Sequence, residues 1–161
     1  MAIEYLLLVS RQGKVRLAKW FNAYTHTQKE KLIRDVTSLV LSSKKGSCSF
    51  IDYKDSTITH RRYASLHIIV SSSPSDNPLL TLEILHRYIE SLDQYFGDVC
   101  ELDIIFGIEA AYAILDELLM AGELQETEKE RVVKTVKRMD RKVRDENDAE
   151  LERHLRESGY I

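Results

Sequence analysis

Ile3-Glu4-Tyr5-Leu6-Leu7-Leu8-Val9-Ser10, then Arg11-Gln12-Gly13-Lys14, then Val15-Arg16-Leu17-Ala18-Lys19-Trp20-Phe21, is the stretch that decides the fold. Ile3 to Val9 is a near-continuous apolar run with β-branched and aromatic members. A strand with one wet face alternates polar and apolar residues, so an almost unbroken run predicts a strand covered on both faces. Arg11-Gln12-Gly13-Lys14 supplies a turn in which Gly13 is free to take positive φ. Val15 to Phe21 resumes as a second strand, so the pair predicts a β-hairpin. The run Tyr5 to Val9 is too short for a membrane span or the apolar region of a secretory signal.

Outward from the hairpin, Thr27-Gln28-Lys29-Glu30 has the form of a capping box. Leu32, Ile33, Val36, Leu39 and Val40 follow at helical spacing, which predicts an amphipathic helix over 28–42 that stops at Lys44-Lys45-Gly46-Ser47. Three short strands are expected at 48–53, 57–62 and 63–70, with Lys54-Asp55-Ser56 turning the first pair. The join at Arg62-Tyr63 has no Gly or Pro, so the last two read either as separate strands or as one bent strand. Ser71 to Asp76 reads as a polar loop. Asn77-Pro78 is a strong helix start, since Asn caps and Pro suits the first turn. Leu82, Leu85, Ile89, Leu92 and Phe96 then mark a helix that Gly97 stops. Asp98-Val99-Cys100-Glu101 opens a short helical turn, and Ile108, Ala111, Tyr112, Leu115 and Leu119 mark a further helix ending at Gly122. The order ββα-βββ-αα predicts an α+β domain, an antiparallel sheet with helices on both faces.

Length and composition allow one soluble domain with its own core: 161 residues, 43% hydrophobic and 30% charged. Charge is unevenly spread. Residues 1–45 carry nine Lys/Arg against three Asp/Glu (+6), residues 46–122 four against twelve (−8), and residues 123–161 ten against eleven (−1). A basic N-terminal portion suits an acidic ligand or an anionic membrane. A solvated helix face and a lysine-guarded strand edge explain it equally well. In the tail, Thr127-Glu128-Lys129-Glu130 is a second capping box, and Val132, Val136, Met139 and Val143 form a thin seam among 21 charged residues of 39. So short a seam makes no independent coiled coil. Either Val132 and Val136 dock on the domain or a partner, or the tail fluctuates; docking is expected to about Met139, with fraying beyond Val143.

Catalytic signals are sparse. The chain has no Walker A loop, GxGxxG, HExxH or nucleophile elbow. His26, His60, His67, His86 and His154 are scattered singly, and Cys48 and Cys100 lie in no CxxC or Cys/His cluster, so free thiols and no metal or cofactor are expected. Glu101 and Asp103 beside Cys100 read as acids favouring a helix start rather than as catalysts. A pI near 6.0 and the acidic middle argue against nucleic acid as a partner. The expectation is a protein that is not an enzyme.

Arg61-Arg62-Tyr63-Ala64-Ser65-Leu66 is followed, thirty-odd residues on, by Tyr95-Phe96-Gly97-Asp98-Val99-Cys100-Glu101-Leu102-Asp103-Ile104-Ile105-Phe106. With Leu8 to Trp20, these segments resemble, in order and spacing, the small (sigma) subunit of the heterotetrameric clathrin adaptor complexes. Ser10-Arg11-Gln12-Gly13 is similar to the version in the complex of the trans-Golgi network and endosomes. The resemblance runs from about Ile3 to about Ala121 and fades beyond Gly122. It divides the chain into a longin-like domain, 1–122, and a charged helical extension, 123–161. It implies a five-stranded sheet with one helix on one side and two on the other.

Function, too, is implied by the resemblance: a non-enzymatic subunit that stabilises the adaptor core and helps bind acidic dileucine sorting signals, Asp/Glu-x-x-x-Leu-Leu/Ile. The implied partners are a gamma-type large adaptin directly, beta and mu adaptins in the heterotetramer, dileucine-containing cargo tails, and clathrin and an Arf-type small GTPase through the complex. The implied location is cytoplasmic, peripheral on trans-Golgi network, endosome and clathrin-coated vesicle membranes, with membrane contact only through the complex. Carried over by position, Arg16 matches the cation for the acidic residue. Ala64, Leu66, Ile89, Val99, Leu102 and Ile104 match the lining of the leucine pockets, and Asp98 is the neighbouring polar position. Periodicity alone would make Leu66, Ile89 and Ile104 core residues, and spacing alone does not single out Arg16. Three departures stand out: Asp98 where the family more often has Asn or Ser, Phe106-Gly107-Ile108 in place of Phe-Asn-Phe, and Ser42 to Ser47 without the usual Arg-Lys-Pro. The alternative is a longin-type regulatory scaffold or a coatomer zeta-like subunit, binding a small GTPase or a SNARE.

Overall fold

The computed structural model describes residues 3–43, 49–120, 123–124 and 129–160. The expected helix stop at Lys44-Lys45-Gly46-Ser47, Cys48, Gly122, and Thr127 and Glu128 of the second capping box lie outside them. In chain order the elements are β1 (Ile3–Ser10), β2 (Val15–Trp20), α1 (His26–Leu41), β3 (Phe50–Tyr53), β4 (Ser56–Tyr63), β5 (Leu66–Ser72), α2 (Pro78–Phe96), α3 (Glu101–Phe106), α4 (Ile108–Leu118), β6 (Leu119–Met120), β7 (Glu123–Leu124) and α5 (Lys129–Glu157). Five strands form one sheet in the order β2-β1-β5-β4-β3, antiparallel throughout, and β6 pairs with β7. This is the α+β architecture that the periodicity predicts.

β1 lies between β2 and β5, and its alternate side chains feed two cores. Tyr5, Leu7 and Val9 face α1 with Ile58, Ile69, Val36 and Val40. Leu6 and Leu8 face the other way, onto Leu85, Tyr88 and Leu92 of α2, Ile114 and Leu115 of α4, and Val136 of α5. Leu6, Leu7, Leu8 and Val9 have no exposed surface at all. Burying each contributes roughly 1.5–3 kcal/mol, on the scale of a domain's whole net stability. Ile3 joins the Leu6 face because the register against β5 shifts between Ile3 and Tyr5. The one carboxylate on the strand, Glu4, accepts from Ser56 Oγ at 2.6 Å and Ser71 Oγ at 2.8 Å.

The outer edge of β2 is not left open. The Tyr112 hydroxyl on α4 accepts from the Ala18 amide at 3.2 Å and donates to the Ala18 carbonyl at 3.0 Å. Lys19 Nζ meets Asp116 Oδ1 at 2.9 Å, and Arg16 Nε meets Glu101 Oε1 at 2.7 Å. An edge strand with unpaired amides and carbonyls invites pairing with another chain. Here two helices close it.

Several boundaries differ from the sequence reading. α1 is capped by Thr25 rather than Thr27: Thr25 Oγ1 accepts from the Gln28 amide, and Gln28 Oε1 from the Thr25 amide at 2.9 Å. Both Thr25-x-x-Gln28 and Thr27-x-x-Glu30 fit the pattern, and the earlier one adds two residues of helix. β4 and β5 are separate strands joined by a tight turn, with Ala64 at φ 51° in place of the absent Gly. Ser71 and Ser72 belong to β5 rather than to a loop, and both are buried. α4 ends at Leu118, where Leu119 turns extended to enter β6. Four helices, α2, α3, α4 and α5, contribute to the Leu6 face where the resemblance implies two.

α5 is continuous to Glu157. Val133 and Val136 are buried in the domain, whereas Met139 and Val143 are exposed; the side chain of Val132 lies outside the described residues. Tyr95 donates from its hydroxyl to Asp140, the last inward-facing anchor of this helix. From Arg141 to Glu157 every residue but Leu155 is exposed. Val136→Ala should therefore cost about 2 kcal/mol in urea unfolding. Truncation after Arg144 should change stability by no more than about 0.5 kcal/mol. Equal losses from both changes would show that α5 does not dock through Val136.

Candidate functional site

α2 ends at Gly97, φ 68°, and Asp98 follows at φ 57°. Two successive left-handed residues reverse the chain out of the helix, and short polar side chains such as Asp or Asn are the non-glycine residues that tolerate this region. The departure at Asp98 thus keeps a backbone requirement that Asn also meets. The chain then enters α3. The Cys100 amide donates to Asp103 Oδ2 at 3.0 Å, and Glu101 and Asp103 place negative charge in the first turn, where the helix dipole favours it.

Asp93 ties this connection to the sheet. Its Oδ1 accepts from the Val99 amide at 2.9 Å, and its Oδ2 accepts from the Tyr63 hydroxyl at the end of β4. The bond to Asp93, with burial added, pushes the Tyr63 phenol up to about 12. One carboxylate therefore holds together the β4–β5 turn, the end of α2 and the loop into α3. Arg16 on β2 completes the convergence through its Nε–H donated to Glu101 at 2.7 Å.

Leu66, Ile89, Val99 and Ile104 lie in one core cluster, none more than 4% exposed. Leu102 is 60% exposed, and Ala64 and Asp98 are exposed. In this conformation four of the six apolar candidates form a floor beneath the surface, and Leu102 alone presents substantial apolar area to a ligand. Two surface clefts lie elsewhere and include none of the eight candidates. One, of about 590 Å³, sits between α1 and β3; the other, of about 690 Å³, lies where α5 passes the α3–α4 junction. At that junction a Cβ on Gly107 would come within 2.6 Å of the Phe96 ring, so the glycine allows Phe96 to pack closely.

Two residues of the site escaped the sequence reading. In the sequence Glu101 reads as an acid favouring the helix dipole, yet it also engages Arg16. For Asp93 the signal is only that an acid in the last turn of a helix opposes the dipole and calls for partners elsewhere. Cys100 is exposed, its thiol donating to Asp103 at 3.3 Å. Among the described residues no three His, Cys, Asp or Glu side chains are placed to hold a metal ion, and no helix is long and apolar enough to cross a membrane.

The head of α3, the latched β2 edge and the two-sided β1 define a longin-like domain with one elaborated end, and comparison with known proteins places it. The family described as "Clathrin adaptor complex small chain" matches residues 2–143. The AP-1 complex subunit sigma-1 of Schizosaccharomyces pombe is 53% identical over 136 residues, 84% of each chain. Human AP-1 complex subunit sigma-1A is 47% identical over 138 residues, 86% of this chain and 87% of that one. Arabidopsis thaliana AP-1 complex subunit sigma-1 is 48% identical over 141 residues, 88% of each. A chain of a homology model of the full-length AP-3 complex in a stretched open conformation superposes with a TM-score of 0.73 over 91% of this chain and 98% of its own, at 22% identity, which speaks to fold alone. The chain belongs to the clathrin adaptor complex small-chain family.

If Asp93 is the tie between sheet and loop, Asp93→Ala should destabilise the domain by about 1–3 kcal/mol, because a half-buried phenol and a backbone amide lose their acceptor together. Tyr63→Phe should cost about 1 kcal/mol. A double-mutant cycle on urea unfolding should show a coupling of at least about 0.5 kcal/mol, and strict additivity would deny the link.

Proposed function

We propose that this chain is the small subunit of an AP-1-type heterotetrameric adaptor, packed against a gamma-type large chain. In that setting it helps bind acidic dileucine signals of membrane cargo moving between the trans-Golgi network and endosomes. On this reading beta- and mu-type chains complete the complex, clathrin and an Arf-type GTPase engage it, and the subunit reaches membranes only as part of that assembly.

The observation that supports the signal-binding reading is that Leu66, Ile89, Val99 and Ile104 share one buried cluster, while Arg16 is bonded to Glu101, the residue before the exposed Leu102. Such a ligand requires adjacent apolar contacts for two leucines and a cation several residues upstream; Leu102 is exposed and Arg16 is partly exposed. The obligate-subunit reading is supported by large apolar side chains left at the surface, among them Leu79 at 64% and Phe106 at 84% exposed. The relatives named above all carry AP-1 sigma names, and no observation favours the coatomer zeta or GTPase-scaffold alternative.

Expressed alone, the chain should aggregate. Co-expressed with a gamma-type trunk, it should yield a soluble complex burying more than about 2,000 Å². A well-behaved monomer with no affinity for large adaptins would contradict this. In the assembled complex, Leu102→Ser should weaken a fluorescent acidic dileucine peptide by about tenfold, the loss of roughly 1.5 kcal/mol of leucine burial. Leu102 is the proper probe because it lies outside the core, whereas Ile89 and Val99 cannot be made polar without disturbing the fold. Undiminished binding by an intact Leu102→Ser complex would place the signal site elsewhere.

A further inference from the structure

We infer that the distal half of α5 is a pairing surface for a second copy of this chain, the two helices crossing antiparallel about Asn147. The family match ends at residue 143, yet α5 runs on to Glu157 and is closed there by a defined stop. Gly159 sits at φ 78°, its amide donates to the Arg156 carbonyl at 3.1 Å, and the Tyr160 amide donates to the Leu155 carbonyl at 3.0 Å. These are the paired bonds of a Schellman motif. Beyond the domain, so short and so charged a helical stretch is marginal in water unless it buries an apolar face. The inward stripe of α5 supplies that face, because it does not stop where the domain does. Val133 and Val136 are buried and Asp140 meets Tyr95; in steps of three and four the stripe runs on through Val143, Asn147, Leu151 and Leu155. Val143 and Leu151 are 55% and 57% exposed.

Two features of that stretch select a second copy over another partner. The first is the stripe's symmetry about Asn147. Reversed, it sets Val143 against Leu151 of the other copy and Asn147 against itself, where an amide that both donates and accepts is satisfied by its counterpart. The second is charge. Arg141, Lys142 and Arg144 are followed by residues 145–152, which hold five Asp/Glu and no Lys or Arg. An antiparallel crossing brings Lys142 to Glu150 of the other copy and Arg144 to Glu152, each twice by symmetry, whereas a parallel crossing sets like charges together. All four side chains are exposed, and among the described residues none makes an ion pair within its own chain. Glu146 and Asp148 face their own counterparts near the axis, which offsets part of the gain. The free stretch is roughly five turns long, and two such helices bury less than about 1,200 Å², the size of a transient contact. The pairing is therefore weak, of the kind that acts between copies already held side by side.

The test is sedimentation velocity of the complex co-expressed with a gamma-type trunk, over a concentration series at low salt. Two charge-swapped forms accompany wild type: one carries Lys142→Glu with Arg144→Glu, the other Glu150→Lys with Glu152→Lys. All four positions are exposed, so neither form puts folding at risk. Wild type should move toward about twice the mass of a single complex as its concentration approaches ~100 μM, the range of a transient interface. Rising salt should weaken the association. Truncation after Arg144 should abolish it. Each swapped form alone should lose it by about tenfold or more, and a mixture of the two should regain it, since every crossing pair is then opposite in sign. A wild-type complex that stays single throughout the series would overturn the inference, as when a large chain covers the helix instead. So would an association that survives truncation, or swapped forms that fail to associate when mixed. If no large chain is bound, the same series on the soluble chain alone reads in the same way.

Discussion

Tyr5 to Val9 on β1 are 1% exposed or less, and successive side chains along this strand serve opposite cores. A strand buried on both faces can sit only inside a sheet that is covered on both faces, so β1 dictates that α1 lie on one side and α2, α4 and α5 on the other. It also dictates register. A slip of one residue would exchange Leu6 and Leu8 for Leu7 and Val9 between two differently shaped cores. The shift between Ile3 and Tyr5 is tolerated because it lies at the end of the strand, where Glu4 finds two serine hydroxyls.

The candidate site is a consequence of how that sheet is closed at its β2 edge. Arg16, Ala18 and Lys19 each reach a helix across the edge, through Glu101, Tyr112 and Asp116. The same contacts that prevent edge-to-edge pairing therefore hold Arg16, the proposed cation of the site, in place. Asp93 does the corresponding work from the other side, holding the Gly97-Asp98 reversal against Tyr63. On the proposed reading folding and function share these side chains, with Leu66, Ile89, Val99 and Ile104 serving the core and the signal site together.

Much of the fold was legible because its signals are local. Apolar runs without alternation, Asn77-Pro78 before α2 and Gly97 after it each act within a few residues. The misreadings arose where a distant partner decided the outcome. Ser71 and Ser72 look like loop residues until β1 and β4 lie beside them. Ala64 adopts φ 51° because Tyr63 and Leu66 are already paired in the sheet. The burial of Val133 depends on which face of a highly charged helix meets α2 and α4. For the site, family resemblance singled out eight positions that no spacing rule would have gathered. It left Glu101 and Asp93 out, since their importance lies in contacts with residues far away in the chain.

The central claim is that the head of α3 receives the leucines of a sorting signal. Its most direct test is photo-crosslinking of the assembled complex with an acidic dileucine peptide carrying a photoreactive leucine at either leucine position, followed by mass spectrometry of the crosslinked fragments. Crosslinks confined to the segment 97–106 and the β4–β5 turn around Ala64 are the predicted result. Crosslinks to the exposed face of α1 or to the distal half of α5, with none at 97–106, would contradict it.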